Sequence, residues 1–111
     1  MNKKISIIMG IYNCESTIAE AINSIINQTY SNWELIMCDD GSSDRTYEIA
    51  REFYLKFPKK IKLLKNDNNM RLAATLNKCL KYASGDYIAR MDADDISMPD
   101  RLEKQLKFFK D

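Results

Sequence analysis

Short apolar runs alternate with longer amphipathic segments along the whole 111-residue chain. Four of the short runs predict buried strands, over residues 5–9, 33–38, 61–64 and 86–91. Between and after them, apolar residues recur every three or four positions, which is typical of helices that pack on one face. The pattern therefore predicts four strands and four helices in strict alternation.

Several residues at the ends of the amphipathic segments indicate where the helices begin and end. Ser43 or Asp44 is expected to cap the second helix. Gly85 is expected to end the third helix in the C′ position, and Pro99 to lie in the first turn of the last. The apolar stripe of that last helix is predicted to extend to Phe109.

This alternation predicts an α/β fold, a Rossmann-like three-layer α/β/α arrangement with a mainly parallel sheet. In such folds ligands bind outside the carboxyl ends of the strands, where the strand order changes direction. The segments that follow the four predicted strands are therefore the candidates for a site, namely 10–13, 39–42, 66–71 and 92–95.

Composition narrows the classes of function. Apolar residues make up 45% and charged residues 30% of the chain, which is typical of one globular domain. A net charge of +1 gives no reason to expect nucleic acid or an anionic membrane as partner. The absence of histidine excludes histidine catalysis or ligation within the chain, and three scattered cysteines favour a reduced, cytoplasmic setting.

Aspartates are concentrated in the segments that follow the second and fourth strands: Asp39, Asp40, Asp92, Asp94 and Asp95. Like charges at one sheet edge repel each other, and a bound cation would relieve that repulsion. With oxygen ligands only, the expected cation is hard, Mg²⁺ or Mn²⁺. Asp92 and Asp94, two positions apart, are the predicted ligands, and the ion would also bind diphosphate oxygens.

A purely structural role remains an alternative for each of these aspartates. Aspartate is common in turns and helix caps, and the run from Asp39 to Ser42 by itself favours a turn followed by a cap. Glycine-rich GxGxxG and GxxxxGK[ST] motifs are both absent from the sequence. Without them, a metal rather than backbone amides would have to balance the charge of a bound phosphate.

Three stretches of the sequence carry a resemblance to a known family. These are ISIIMGIYNCE, INSIINQTYSNWELIMCDDGSSDRT and NNMRLAATLNKCLKYASGDYIARMDADDISMPDRLEKQ. In this order they resemble the N-terminal nucleotide-binding half of inverting family 2 glycosyltransferases with the GT-A fold. The resemblance implies a nucleotide-diphospho-sugar-binding domain over residues 1–111, with the acceptor-binding half of such enzymes absent from the chain.

The resemblance also implies roles for residues after the first two strands. Ile11, Tyr12 and Asn13, together with Glu15, resemble the first nucleotide-contacting loop of the family. Asp40 resembles the residue that accepts a hydrogen bond from the edge of uracil or another base.

Residues after the third and fourth strands complete the implied site. Asp92, Ala93 and Asp94 resemble the DXD motif, in which the first aspartate faces the ribose and the second ligates the metal. Asp95 would be a further ligand. Arg71 stands where many family members have glycine, and it is either a specific contact to base or phosphate or a surface side chain.

The implied function is that of a donor-binding domain. The enzyme would transfer a sugar, with inversion and assisted by Mn²⁺ or Mg²⁺, from a nucleotide-diphospho-sugar, by default a UDP-sugar. The acceptor would be a saccharide or a lipid-linked hydroxyl compound bound by the absent half, which would also supply the catalytic base, since no residue here is a candidate. The whole enzyme is then expected in the cytoplasm, with association at the inner membrane face left open.

Two other functions compete with this one. The first is a non-catalytic nucleotide-binding module with the same fold. The second is a Mg²⁺-dependent phosphohydrolase or phosphotransferase with an aspartate nucleophile, which would normally follow the first strand. The segment from Gly10 to Asn13 contains no aspartate, which argues against the second.

Overall fold

The structure, a computed structural model, describes residues 3–108. It contains the four strands and four helices in the predicted alternating order. Their bounds along the chain are β1 Ile5–Ile11, α1 Ile18–Ile26, β2 Trp33–Asp39, α2 Thr46–Lys56, β3 Ile61–Lys65, α3 Leu72–Lys81, β4 Tyr87–Arg90 and α4 Arg101–Phe108.

The four strands form one parallel sheet in the order β3-β2-β1-β4. Strand β1 is central, with Ile11 opposite Asp39 of β2 and Ile8 opposite Arg90 of β4. Because all strands are parallel, their carboxyl ends lie at the same edge of the sheet. The segment after β1 is therefore flanked by those after β2 and β4.

Helices cover both faces of the sheet, which confirms the three-layer arrangement. Side chains of α1, α2 and α4 pack with the larger core on one face, as Ile22, Ala50 and Leu102 show. Helix α3 covers the other face, where Cys79 packs against Cys38 in a smaller core. Burial of these apolar faces is the main force that holds the helices on the sheet.

Strand β1 extends two residues further than the pattern predicts. Gly10 was expected in the segment after the strand but lies within it, opposite Cys38. A Cβ atom built on Gly10 would lie 3.0 Å from Cδ1 of Leu72 and 3.4 Å from Cγ2 of Thr75. Gly10 therefore lets α3 approach the sheet closely.

The predicted role of Gly85 as the C′ residue of α3 is wrong. The helix ends at Lys81, and Gly85 lies four residues later, just before β4. A Cβ atom on Gly85 would lie 2.6 Å from Oγ of Ser6, and the Gly85 amide donates to that same oxygen at 2.7 Å. Gly85 thus packs directly on β1, a contact between segments far apart in the sequence.

The other two predicted helix ends lie one or two residues from the observed ones. Arg45 is the N-cap residue of α2 and its side chain makes no cap, while Asp44, one residue earlier, accepts the Thr46 amide through Oδ1 at 2.9 Å. Pro99 lies two residues before α4 instead of in its first turn. The predicted position of Phe109 in the apolar stripe falls outside the described residues.

A buried carboxylate joins β2 to the segment between α3 and β4. Glu34 is 3% exposed and accepts hydrogen bonds from the Ser6 hydroxyl at 2.6 Å and the Ser84 amide at 2.7 Å. Lys62 and Lys4 lie 3.3 and 3.5 Å from its other oxygen. Burial alone would raise the pKa of Glu34, but these hydrogen bonds outweigh it and lower the pKa to about 2.

Within residues 3–108, none of the helices has the length and hydropathy needed to cross a membrane.

Candidate functional site

Two candidate binding features lie at the carboxyl edge of the sheet. The first is a cavity of about 200 Å³, lined by Gly10, Ile11, Tyr12, Asp40, Asn69, Arg71, Leu72 and Thr75. The second is a cluster of aspartates that follows β4, which we call the acidic cluster: Asp92, Asp94 and Asp95. They lie on opposite sides of the central strand β1, since β2 and β4 are its two neighbours.

Asp40 is buried at the base of the cavity and holds the segment that follows β3. Its Oδ1 accepts the Met70 amide at 2.6 Å and the Asn66 side chain at 3.0 Å, and its Oδ2 accepts the Arg71 amide at 3.0 Å. Burial opposes ionisation of Asp40, but these donors stabilise the carboxylate and lower its pKa. The cavity therefore contains an ionised group that can only accept hydrogen bonds.

Asn66 lies in the candidate segment 66–71, although the sequence analysis assigned it no role of its own. It is 2% exposed, and its amide donates to Asp40 and, at 3.1 Å, to the Thr75 hydroxyl. Its Oδ1 accepts the Lys78 ammonium at 3.0 Å and the Cys38 thiol at 3.5 Å. The only signal in the sequence is an asparagine directly after a strand, a position where turn residues are common.

Arg71 adopts a backbone conformation that favours glycine. Its φ is 72° and its ψ is 164°, a region in which non-glycine residues are strained. The Arg71 amide is held by Asp40, and the side chain lies exposed at the rim of the cavity. This conformation gives a physical reason for the glycine that the family resemblance implies at this position.

The predicted first nucleotide loop is braced against the segment before α2. Oδ1 of Asn13 accepts the Ser43 amide at 2.8 Å, and Oε1 of Glu15 accepts the Arg45 amide at 2.9 Å. The Asn13 backbone is left-handed, with a φ of 44°. These two side chains therefore position backbone in the structure, and any nucleotide contact would come in addition.

Ile11 and Tyr12 differ in what they present to the cavity. The Ile11 side chain is fully buried in the core, and its carbonyl accepts the Asp40 amide at 2.9 Å. Tyr12 is 50% exposed, so its ring is available to a ligand. Asp39 points elsewhere, because its two oxygens accept the Ser42 hydroxyl at 2.5 Å and the Ser42 amide at 3.1 Å.

The acidic cluster presents exposed carboxylate oxygens within 4.8 Å of one another. Ala93 is buried in the core and anchors the segment between its exposed neighbours. Asp92 lies 3.4 Å from Arg90, and its amide donates to Asp95 at 3.2 Å. Converging carboxylates with free oxygens fit a hard divalent cation such as Mg²⁺ or Mn²⁺. Asp94 and Asp92 would hold it, with Asp95 as a further ligand.

Comparison with known proteins decides the family. The sequence profile described as "Glycosyl transferase family 2" matches residues 6–111. The chain belongs to glycosyl transferase family 2. Family membership confirms the resemblance that the three sequence stretches indicated.

Two curated relatives are particularly similar to the chain. The chain is 59% identical over 105 residues to "Putative glycosyltransferase EpsE" of Bacillus subtilis, covering 95% of the chain and 38% of that protein. It is 48% identical over 102 residues to the UDP-Glc:alpha-D-GlcNAc-diphosphoundecaprenol beta-1,3-glucosyltransferase WfgD of Escherichia coli, covering 92% of the chain and 39% of that protein. The chain thus spans about two fifths of the length of these relatives.

A solved structure supports the GT-A fold. The mannosyltransferase PcManGT from Pyrobaculum calidifontis, in complex with GDP-Man and Mn²⁺, superposes with a TM-score of 0.92 at 25% identity. The match covers 100% of the chain and 33% of the mannosyltransferase. The predicted Rossmann-like GT-A architecture with a parallel sheet is therefore confirmed.

Proposed function

We propose that this chain binds the nucleotide-diphospho-sugar donor of a glycosyl transfer reaction. The observation that carries the proposal is the placement of an ionised, buried acceptor and a cluster of exposed carboxylates at adjacent positions on one sheet edge. Asp40 would accept a hydrogen bond from the base, and Tyr12 would lie against the nucleoside. Ile11, Asn13 and Glu15 would shape the first loop around it.

The acidic cluster would hold the diphosphate end of the donor through a divalent cation. Asp94 would be the principal ligand, with Asp92 as the second and also facing the ribose. A bound Mn²⁺ or Mg²⁺ would stabilise the charge that develops on the leaving nucleoside diphosphate. Ala93 would keep the two aspartates in place by its own burial, and Arg71 would offer a cation to base or phosphate.

A UDP-sugar is the proposed donor. The Escherichia coli relative is named as a UDP-Glc glucosyltransferase, whereas the mannosyltransferase of known structure holds GDP-Man. Uracil N3 carries a hydrogen that an ionised Asp40 can accept, so the chemistry of Asp40 is compatible with uridine. Asp40 is therefore the residue that would determine the choice of base.

Transfer by inversion would require an acceptor hydroxyl and a base that takes its proton. We propose that both are bound or supplied by sequence outside this chain, which spans about two fifths of its relatives. A saccharide or a lipid-linked compound is the proposed acceptor, since the name of the Escherichia coli relative includes a diphosphoundecaprenol substrate. Location in the cytoplasm, at the inner membrane face for a lipid-linked acceptor, remains a prediction.

Calorimetric titration of UDP into the chain tests the proposed metal-dependent site. In the presence of MnCl₂ we expect binding that EDTA weakens at least tenfold, because the diphosphate charge would then lack its counterion. Asp94→Ala should produce a loss similar to that caused by EDTA. The matched control is Asp100→Ala, which removes a carboxylate that pairs with Lys104 at 3.2 Å. Equal affinity with and without Mn²⁺ would contradict the metal role.

A non-catalytic nucleotide-binding module remains the second candidate. It is favoured by one observation, the absence of a candidate base among the residues that surround the cavity other than the engaged Asp40. Incubation of the chain with UDP-[¹⁴C]glucose, Mn²⁺ and saccharide acceptors should form no more labelled glycoside than a blank without protein. Sustained transfer by the chain alone would show that the catalytic base lies within it.

A further inference from the structure

The buried Asn66 side chain connects helix α3 to the carboxylate at the base of the cavity. Its amide makes two hydrogen bonds as donor, to Asp40 and Thr75, and accepts two more, from Lys78 and Cys38. All the hydrogen-bonding capacity of the amide is therefore used inside the protein. A buried polar group with every partner satisfied fixes its surroundings rigidly, because any change leaves one partner unpaired.

The chemistry of the partners fixes the orientation of this amide. The Lys78 ammonium can only donate, so the Asn66 atom 3.0 Å from it must be the oxygen. The ionised Asp40 can only accept, so the Asn66 atom on that side must be the nitrogen. A reversed amide would place two donors together at Lys78 and two acceptors together at Asp40.

The Asn66 bond distinguishes the two oxygens of Asp40. Oδ1 accepts both the Asn66 amide and the Met70 amide, whereas Oδ2 accepts the Arg71 amide. Since each carboxylate oxygen has two lone pairs, Oδ1 is committed to the interior. The Thr75 hydroxyl, which accepts the Asn66 amide, also hydrogen-bonds this carboxylate, so Asp40 is held from the side of α3 while it lines the cavity.

We propose that Asn66, oriented by Lys78, is a positioning residue that holds the Asp40 carboxylate in place for the nucleotide base and so sets the base preference of the donor site. This inference rests on the proposed function, in which Asp40 accepts a hydrogen bond from the base. The hydrogen bonds from Lys78 to Asn66 and from Asn66 to Asp40 hold the carboxylate from inside the protein. Asn66 itself is too deeply buried to contact the ligand.

The readout that isolates this role is discrimination between UDP and CDP. Uracil N3 is a donor and cytosine N3 an acceptor, so an ionised Asp40 should favour UDP. A mutation that merely loosened the fold would weaken both nucleotides equally. We would measure both Kd values calorimetrically in MnCl₂ for the wild-type chain and for Asp40→Asn, Asn66→Leu and Lys78→Met. The matched controls are the exposed neighbours Asn77→Leu and Lys81→Met on the same helix.

We expect the preference for UDP over CDP to fall about tenfold in Asp40→Asn and Asn66→Leu, and by a smaller factor in Lys78→Met. The two control variants should keep the wild-type ratio. Lys78 is only partly buried, so Lys78→Met keeps the experiment informative if Asn66→Leu fails to fold.

Two results would overturn the inference, and they have different meanings. If Asp40→Asn lowers the UDP preference but Asn66→Leu and Lys78→Met do not, the positioning role is wrong and the proposed base contact stands. If Asp40→Asn leaves the preference unchanged, the base contact itself is wrong and the positioning role falls with it.

Discussion

At Arg71 the backbone conformation conflicts with the residue type. Asn13 and Arg71 are the non-glycine residues with positive φ in the described part of the chain, and Arg71 has the larger value, 72°. Its ψ of 164° places it in a region that is almost reserved for glycine. The hydrogen bond from its amide to Asp40 helps to hold this conformation in place.

Replacement of Arg71 by glycine should therefore stabilise the fold. We expect Arg71→Gly to raise the free energy of unfolding by about 1 kcal/mol, because relief of strain exceeds the added entropy of the unfolded chain. Urea denaturation followed by circular dichroism would measure the change. Arg71→Ala is the control, since it removes the side chain but keeps the strained Cβ. Equal stability of the two variants would mean that backbone strain is negligible.

The same two variants decide between the alternatives left open for the Arg71 side chain. If the guanidinium contacts the donor, both substitutions should weaken UDP binding by about tenfold, the loss typical of a charged hydrogen bond. If it is only a surface side chain, both should bind UDP as the wild type does. Calorimetry in MnCl₂ would distinguish the two outcomes.

Sequence reasoning found the carboxylates of the candidate site but missed the network around them. The positions of Asp40 and Asp92 at strand ends were predictable, because parallel strands bring those ends together. Asn66 also follows a strand, within the candidate segment 66–71, but no pattern distinguished it from the other polar residues there. Lys78 gave no signal, since a polar residue on a helix usually faces solvent. The burial of Asn66 and the partial burial of Lys78 result from packing of α3 on the sheet, which local patterns do not specify.

At the scale of the secondary-structure elements, two glycines allow other segments to pack closely against strand β1. Gly85 lets the segment before β4 approach the strand, and Gly10 lets α3 do so. Gly85 meets the backbone at the start of β1, since an added Cβ would lie 2.7 Å from the Ser6 nitrogen and 2.8 Å from the oxygen of Lys4, the residue before the strand. Gly10 meets side chains of α3 instead, the nearest atom being Cδ1 of Leu72. A side chain can move more easily than a paired strand.

Alanine substitutions at these glycines should therefore have unequal effects. We expect Gly85→Ala to destabilise the fold by about 3 kcal/mol and Gly10→Ala by about 1 kcal/mol. Thermal unfolding of both variants and the wild type would show which substitution causes the larger loss of stability. A larger loss in Gly10→Ala would show that α3 cannot shift to accommodate one methyl group.

Glu34, which joins β2 to the segment before β4, makes the stability of the fold depend on pH in the acid range. Its pKa is about 2 in the folded chain, against 4.5 as the ordinary value. Its contribution, about 3 kcal/mol, is complete above pH 4.5 and is lost as the pH falls through about 2.

Replacement of this carboxylate should remove that pH dependence. We expect Glu34→Gln to lower the free energy of unfolding by about 3 kcal/mol at pH 7 and to converge with the wild type near pH 2. Urea denaturation at pH 7, 4, 3 and 2 would measure it. Glu52→Gln, on the exposed side of α2, serves as the control. A constant difference between Glu34→Gln and wild type at every pH would contradict the assignment.

At the scale of the whole molecule, the architecture was the part most readily predicted. Apolar runs alternate strictly with amphipathic segments. A parallel sheet with helices on both faces is the arrangement that buries both the apolar strands and the apolar faces of the helices. The errors lie at ends of elements, as with Gly10 and Gly85, where contacts between distant segments determine the boundary. Strand order was not derivable from periodicity, because each strand alone presents similar apolar faces.

Donor binding should stabilise the entire chain. A ligand at a hundred times its Kd adds about 2.7 kcal/mol to the free energy of unfolding, which corresponds to a rise in Tm on the order of 10 °C for a domain of this size. We expect UDP with MnCl₂ to produce such a rise in differential scanning calorimetry. EDTA, or the substitution Asp94→Ala, should reduce it. If the rise in Tm were the same with EDTA, or in Asp94→Ala, as with MnCl₂ and the wild-type chain, the ligand would bind away from the acidic cluster.

The central position of β1 has a consequence for the size of ligand that the sheet edge can recognise. Asp40 follows one neighbour of β1 and the acidic cluster follows the other, so about two interstrand spacings, roughly 10 Å, separate the strands that carry them. A compound must be long enough to span that distance if it is to contact both Asp40 and the acidic cluster. Free pyrophosphate could contact the acidic cluster but not Asp40, so its binding would not depend on a nucleobase. An intact nucleotide could contact both Asp40 and the acidic cluster.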